Sequence, residues 1–218
     1  FSETVMDESL FEKADLSQCQ FIQASATGAN FNDSNLREIF CEKSTLNKAV
    51  FSGARLSLSQ FEYSDLSEAV LETIDATGVH FFQCTLDLAR AGEQSDFSGA
   101  EFEGGSASGL IFEGANLSGA KFKNMLLAEA DFTEANLSLA NFSHCDMKNA
   151  TLSKANLRDT KLVGANLFEA DFSKATLTRT DLALSNLYGA EFYQAMLQDT
   201  NLKGANIKQT KIELGMVK

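Results

Sequence analysis

Proline and tryptophan are both missing from these 218 residues, histidine occurs twice and cysteine four times. Without proline, no position is barred from donating its backbone N–H to a continuous ladder. Without tryptophan, no side chain is too large for a narrow interior. No apolar run approaches the roughly 20 residues that a membrane-spanning helix needs, and no signal-peptide pattern opens the chain. The spacing of the four cysteines makes no ligand pair, which argues for reduced thiols in a cytosolic setting rather than a disulfide or metal framework.

What the chain does have is a period. A large apolar residue returns every five positions, in units such as Ala115-Asn116-Leu117-Ser118-Gly119, Ala135-Asn136-Leu137-Ser138-Leu139 and Ala155-Asn156-Leu157-Arg158-Asp159. Five is neither the 3.6 of an amphipathic helix nor the 2 of a half-buried strand, so each unit buries its face only through its neighbours, as in a solenoid. The unit is a small residue, then Asp or Asn, then Leu or Phe, then a short polar pair. It strongly resembles the pentapeptide-repeat family over nearly the whole chain. That resemblance implies an all-β, right-handed quadrilateral β-helix with four pentapeptides per coil, here a single domain 1–218 of about eleven coils.

Residues about 20 apart then stack into four columns. Two are rich in phenylalanine. One runs Phe1, Phe21, Cys41, Phe61, Phe81, Phe102, Phe122, Phe142, Leu162, Leu182, Leu202, and the column facing it runs Phe11, Phe31, Phe51, Leu71, Ala91, Phe112, Phe132, Leu152, Phe172, Phe192, Ile212. The intervening columns, Met6 to Ile207 and Leu16 to Val217, hold one phenylalanine between them, Phe97. The segregation survives only if one extra residue enters between Leu86 and Phe97, read as a bulge at a corner near Arg90 to Gln94 within residues 87–96. Positions two before each centre are small, as at Ala115, Ala135 and Ala155, and should point inward because nothing larger fits beside a phenylalanine. Asn166, Asn186 and Asn206, and likewise Asn116, Asn136 and Asn156, are expected to form amide ladders.

The register absorbs the isolated motifs. Cys19, Cys84 and Cys145 stand two before a centre and Cys41 stands at one, so all four replace core residues. His80 and His144 fall at outward positions on different coils and read as surface residues. Three Asn-Leu-Ser or Asn-Phe-Ser sequons are only the repeat itself. Gly104-Gly105-Ser106-Ala107-Ser108-Gly109 lacks the lysine and helix of a phosphate loop and reads as a narrowed coil. No carboxylate pair is set apart by an apolar pocket or a histidine, so the chain is read as no enzyme, with no catalytic residue, metal or cofactor.

Function is left to the exterior. Residues 1–113 carry 19 acidic and 6 basic side chains, whereas 114–218 carry 11 and 12. Glu42, Glu62 and Glu103 should form one column just after the centre, interrupted by Ile22 and Phe82, with Asp65, Glu68, Glu72 and Asp75 winding round the same coil. Leu10, Val50, Val70 and Ile111 share a second outward column, and Phe168 and Tyr188 stack near the other end. The expected partner-binding set is therefore Glu42, Glu62, Phe82, Glu103, Asp65, Glu68, Glu72, Asp75, Val50, Val70 and Ile111. A mixed acidic and apolar surface suits a protein partner with a basic or partly apolar face, without direct nucleic-acid binding or a membrane span.

Two functions fit. The first is a non-catalytic interaction or scaffold module of a cytoplasmic bacterial protein, or of a secreted effector. The run Asn186-Leu187-Tyr188-Gly189-Ala190-Glu191-Phe192-Tyr193 is similar to the pentapeptide tails of type VI secretion accessory proteins, which implies effector loading. Phe1 is already in register with nothing covering it, so the rod is expected to be the C-terminal part of a longer protein whose missing N-terminal part is itself a partner. The second is a DNA-mimicking, gyrase-binding protein of the quinolone-resistance type, favoured by acidity and rod shape. The short tail Lys211 to Lys218 and the confinement of charge to one half weigh against it.

Overall fold

The computed structural model describes residues 1–210 and 212. The expected centre Val217 and, apart from Ile212, the tail from Lys211 to Lys218 lie outside them. Among the described residues there is no helix; the chain is a parallel β-solenoid in which successive turns pair at a spacing of twenty residues. The wall with centres Phe21, Cys41, Phe61, Phe81, Phe102 and Phe122 is here the first, followed in chain order by the second, third and fourth. On it lie six three-residue strands: β1 (Gln20–Ile22), β2 (Phe40–Glu42), β3 (Gln60–Glu62), β4 (His80–Phe82), β5 (Glu101–Glu103) and β6 (Lys121–Lys123). They form one sheet in sequence order, all parallel. These strands span only five turns, fewer than the eleven coils expected. The other walls, and the first wall beyond β6, are joined by single bridges, as from Val5↔Ser25 to Asn186↔Asn206 on the second wall. Each wall runs straight for so few residues before its corner that most rungs never become strands.

One pentapeptide shows why the unit is five residues long. Met6 donates its backbone N–H to Ser25 O at 2.6 Å and Glu8 to Thr27 O at 2.8 Å, while Ser25 donates back to Thr4 O at 2.9 Å. The corner is closed by Ser9 N–H on Met6 O at 3.1 Å. Turning the corner puts the residue two after a centre in the left-handed region, with φ of 58° at Glu8, 59° at Lys48, 58° at Glu68 and 59° at Leu88. That conformation costs a side-chain-bearing residue about 1 kcal/mol or more. The ladder bond its N–H makes to the next coil offsets the cost, so glycine is optional there.

The centres are buried. Phe21, Phe31, Phe51, Phe61, Phe81, Phe97, Phe102, Phe112, Phe132, Phe142, Phe172 and Phe192 are all enclosed. Along each wall the rings stack, as Phe31 does on Phe51 at 5.0 Å and 7°, and across the bore they meet edge to face, as Phe21 does Phe31 at 6.3 Å and 86°. The first and third walls are therefore opposite, as the columns predict. The inward position two before the centre admits more than the small residues expected: Ile39, Ile74, Val79, Leu110 and Met125 are buried there. Space comes from reduced neighbours. Ile39 precedes Cys41, Ile74 precedes Ala76, and Met125 stands one coil above Gly105.

Several of these inward positions hold hydroxyls or thiols that donate to a backbone carbonyl, most of them one coil back, though Ser34 and Ser185 donate within their own coil, to Phe31 O and Leu182 O. Ser59 Oγ donates to Leu36 O at 2.7 Å, Thr160 Oγ1 to Leu137 O at 2.7 Å and Cys145 Sγ to Phe122 O at 3.4 Å. Both amide ladders form: Asn136 Nδ2 donates to Asn116 Oδ1 at 3.1 Å, and Asn186 Nδ2 to Asn166 Oδ1 at 3.0 Å. The extra residue is Gly92. Val70 still pairs with Arg90 twenty positions on, but Asp75 pairs with Asp96 twenty-one on, and the delayed corner closes by Ser95 N–H on Gly92 O at 3.3 Å.

Candidate protein-binding wall

Among the described residues, the first wall is the one surface on which three-residue strands present two registered outward columns. Just after the centre, Ile22, Glu42, Glu62, Phe82, Glu103 and Lys123 are successive Cα partners. Just before it, Gln20, Phe40, Gln60, His80, Glu101 and Lys121 are likewise in register. The predicted column of Glu42, Glu62, Phe82 and Glu103 is thus assembled as a unit.

Its charges are not equivalent. Glu42 takes Lys43 Nζ at 2.8 Å, raising the lysine pKa through that hydrogen bond, and Glu103 is bonded to Lys123. Lys121 reaches Glu101 at 2.6 Å and holds its carboxyl below the ordinary range. Glu62 forms no ion pair among the described residues. All these groups are at least partly exposed, so solvent screens each such pair and leaves it a small share of stability.

An aromatic group stands beside that unpaired carboxylate. Tyr63 meets Phe82 edge to face at 5.3 Å and 90°, and the His80 ring lies 6.3 Å from Phe82. Phe40 precedes them in the neighbouring column and Phe82 itself is half-buried. His80 falls at an outward position, as expected, and its Nε2 is buried without a hydrogen-bond partner. Phe40, Tyr63, His80 and Glu101 were not in the predicted set. The column just before the centre carries Phe40 two coils before His80 and Glu101 one coil after it, and Tyr63 directly follows Glu62, so following that column would have found them.

The remaining predicted residues lie elsewhere. Asp65 and Glu68 are on the second wall, where Asp65 accepts from Ser67 N–H at 2.9 Å as a turn cap and Glu68 is 3.8 Å from Lys48. Val50, Val70, Ile111 and Glu72 are on the third wall, opposite the first, with Glu72 3.8 Å from Arg90. Asp75 is on the fourth, 3.5 Å from Arg37 and accepting from Thr77 N–H at 3.3 Å. The apolar column is not continuous: Asn30 separates Leu10 from Val50 and Arg90 separates Val70 from Ile111. Acids that wind round one coil point to different sides, here three of the four walls.

At the other end of the rod, Phe168 and Tyr188 stack at 5.4 Å with planes 2° apart, and Lys148 Nζ sits 5.7 Å from the Phe168 ring centre. Among the described residues no group of three His, Cys, Asp or Glu is placed to hold a metal ion, and no helix is long and apolar enough to cross a membrane.

Three family descriptions match the chain: a pentapeptide repeat region over 135–212, pentapeptide repeats in nine copies over 107–151, and pentapeptide repeats in eight copies over 4–40 and 41–72. Between them lies 73–106, the stretch that contains the inserted Gly92. No curated protein matches. Among solved structures, the chain is similar to HetL, a pentapeptide repeat protein involved in heterocyst differentiation regulation from the cyanobacterium Nostoc sp. strain PCC 7120, at 25% identity and a TM-score of 0.52, covering 96% of this chain and 91% of that one. It also shares its fold with full-length QnrB1, a plasmid-mediated fluoroquinolone resistance protein, at 20% identity and a TM-score of 0.50, covering 93% and 90% of the two chains.

Proposed function

We propose that this chain, which belongs to the pentapeptide-repeat family, is a non-catalytic interaction module that docks a protein partner with a basic, partly apolar surface onto its first wall. The observation that carries this reading is the registered column Glu42, Glu62, Phe82 and Glu103 on the run of strands β2 to β5. An apolar centre rimmed by charge is the anatomy of a protein interface. Four free thiols suit a reducing compartment such as the bacterial cytoplasm. Loading of a secreted effector is one setting for such a module, supported only by the wording of the repeats from Asn186 to Tyr193.

The test is capture of partner proteins from lysate on the immobilised rod. The triple change Glu42→Lys, Glu62→Lys, Glu103→Lys should abolish capture while leaving the melting curve in place, and the wild-type interaction should weaken with salt. Unchanged capture would reject electrostatic docking.

A gyrase-binding DNA mimic is a second reading, favoured by linear charge density. Residues 1–113 occupy about 27 Å of rod at ~4.8 Å per rung, so their net charge of −13 is about one charge per 2 Å, close to the ~1.7 Å of duplex DNA. Supercoiling by purified gyrase, titrated with this protein with and without a quinolone, separates the two. No effect in either arm disposes of mimicry.

A further inference from the structure

The carboxylates of the first-wall column differ in one respect: Glu42 and Glu103 receive a lysine from their own chain, Lys43 and Lys123, and Glu62 between them does not. Its Cα partner on the next coil is Phe82, and its sequence neighbour Tyr63 meets that ring edge-on at 5.3 Å while donating its N–H to Phe82 O at 2.9 Å. A carboxylate with no ion-pair partner among the described residues, set beside a braced aromatic ring, is half of a cation bracket. We propose that Glu62, Phe82 and Tyr63 form a subsite for a single arginine side chain of the protein partner, its guanidinium paired with the Glu62 carboxylate and stacked on the aromatic pair.

Arginine fits better than lysine because a planar guanidinium presents a fork of donors to a carboxylate and a flat face to a ring at the same time, and sheds water more readily than an ammonium. The surroundings restrict the subsite to one cation. Lys43 and Lys123 already occupy the carboxylates on either side, so a basic stretch gains little by sliding along the column. The proposal rests on the first wall being the docking surface, and it adds which residue of the partner is read.

The experiment uses the full chain, 15N-labelled, and three capped peptides, Gly-Gly-Arg-Gly-Gly and its lysine and citrulline counterparts. The arginine peptide should shift the amides of Glu62, Tyr63 and Phe82 and bind roughly three- to five-fold tighter than the lysine peptide, with citrulline weakest. Phe82→Leu, an outward change that leaves the core intact, should erase the arginine preference, and Glu62→Gln should erase binding of both cations. Equal binding of arginine and lysine peptides, or no effect of Phe82→Leu, overturns the subsite and leaves charge-driven docking standing. If the peptides behave as expected but the triple change Glu42→Lys, Glu62→Lys, Glu103→Lys leaves capture of the partner protein unaltered, the docking reading falls while the preference of the subsite for arginine stands.

Discussion

Phe122 and Phe132 meet across the bore with ring centroids 6.3 Å apart and planes at 89°, while each stacks along its own wall, Phe122 on Phe142 at 4.3 Å and Phe132 on Phe112 at 5.8 Å. Each ring thus belongs to two sets of contacts, which tie these coils to their neighbours along the rod and across the bore. Phe132→Ala should cost about 3–5 kcal/mol, and Phe132→Asp more, because it buries an unpaired charge. Urea melts give the cost. Amide exchange should show protection lost first in the coils on either side, as nearest-neighbour coupling requires. Melting unaffected by Phe132→Asp would mean that the register is wrong.

Glycine is tolerant at some corners and obligatory at others. A Cβ on Gly105 would stand 2.1 Å from Cys84 O, against a φ of 81°, whereas one on Gly119 meets nothing within 4 Å at a φ of 68°. Gly119→Ala should therefore cost only about 1 kcal/mol of left-handed backbone strain. Gly105→Ala should be several-fold worse, since the coil must separate from its neighbour. Thermal melts of the two variants check the difference.

The amide ladder adds a smaller increment. Asn136 donates to Asn116, accepts from Asn156 at 3.1 Å and also caps Ser138 N–H at 3.3 Å. Asn136→Ala should cost about 1–3 kcal/mol. Asn136→Asp should cost less, because the acceptor survives, as Asp96 shows by accepting from Asn116 at 2.9 Å.

The cysteines divide by burial. Desolvation pushes the Cys41 and Cys145 thiols up to about 11 and Cys84 up to about 12, from an ordinary value of 9.0. Only Cys19 is half-exposed. A thiol reagent at mildly alkaline pH should label Cys19 and leave the other three untouched until the rod unfolds. Above about pH 9 the unfolded thiols ionise while the folded ones keep their protons, so stability should fall as pH rises from about 9 towards 11–12.

The interior was legible because period five forces a single register. Leu86 and Phe97, eleven apart, confine the surplus residue to a corner near Arg90 to Gln94, and the bridge pattern assigns it to Gly92. The exterior was less legible. Sequence gives an outward residue its column but not its partner, so Glu42, Glu62 and Glu103 look equivalent until Lys43 and Lys123 are seen to take two of them. Arg90, likewise, is a corner cation in the sequence and the break in an apolar column in the structure. Asp65 reads as a docking charge and serves as a turn cap.

The most direct test compares two charge reversals of equal size on opposite walls: Glu42→Lys, Glu62→Lys, Glu103→Lys on the first, and Glu72→Lys, Glu93→Lys, Glu113→Lys on the third. Capture of the protein partner should be lost with the first set and retained with the second. Equal loss from both would show that overall negative charge, rather than the first wall, attracts the partner.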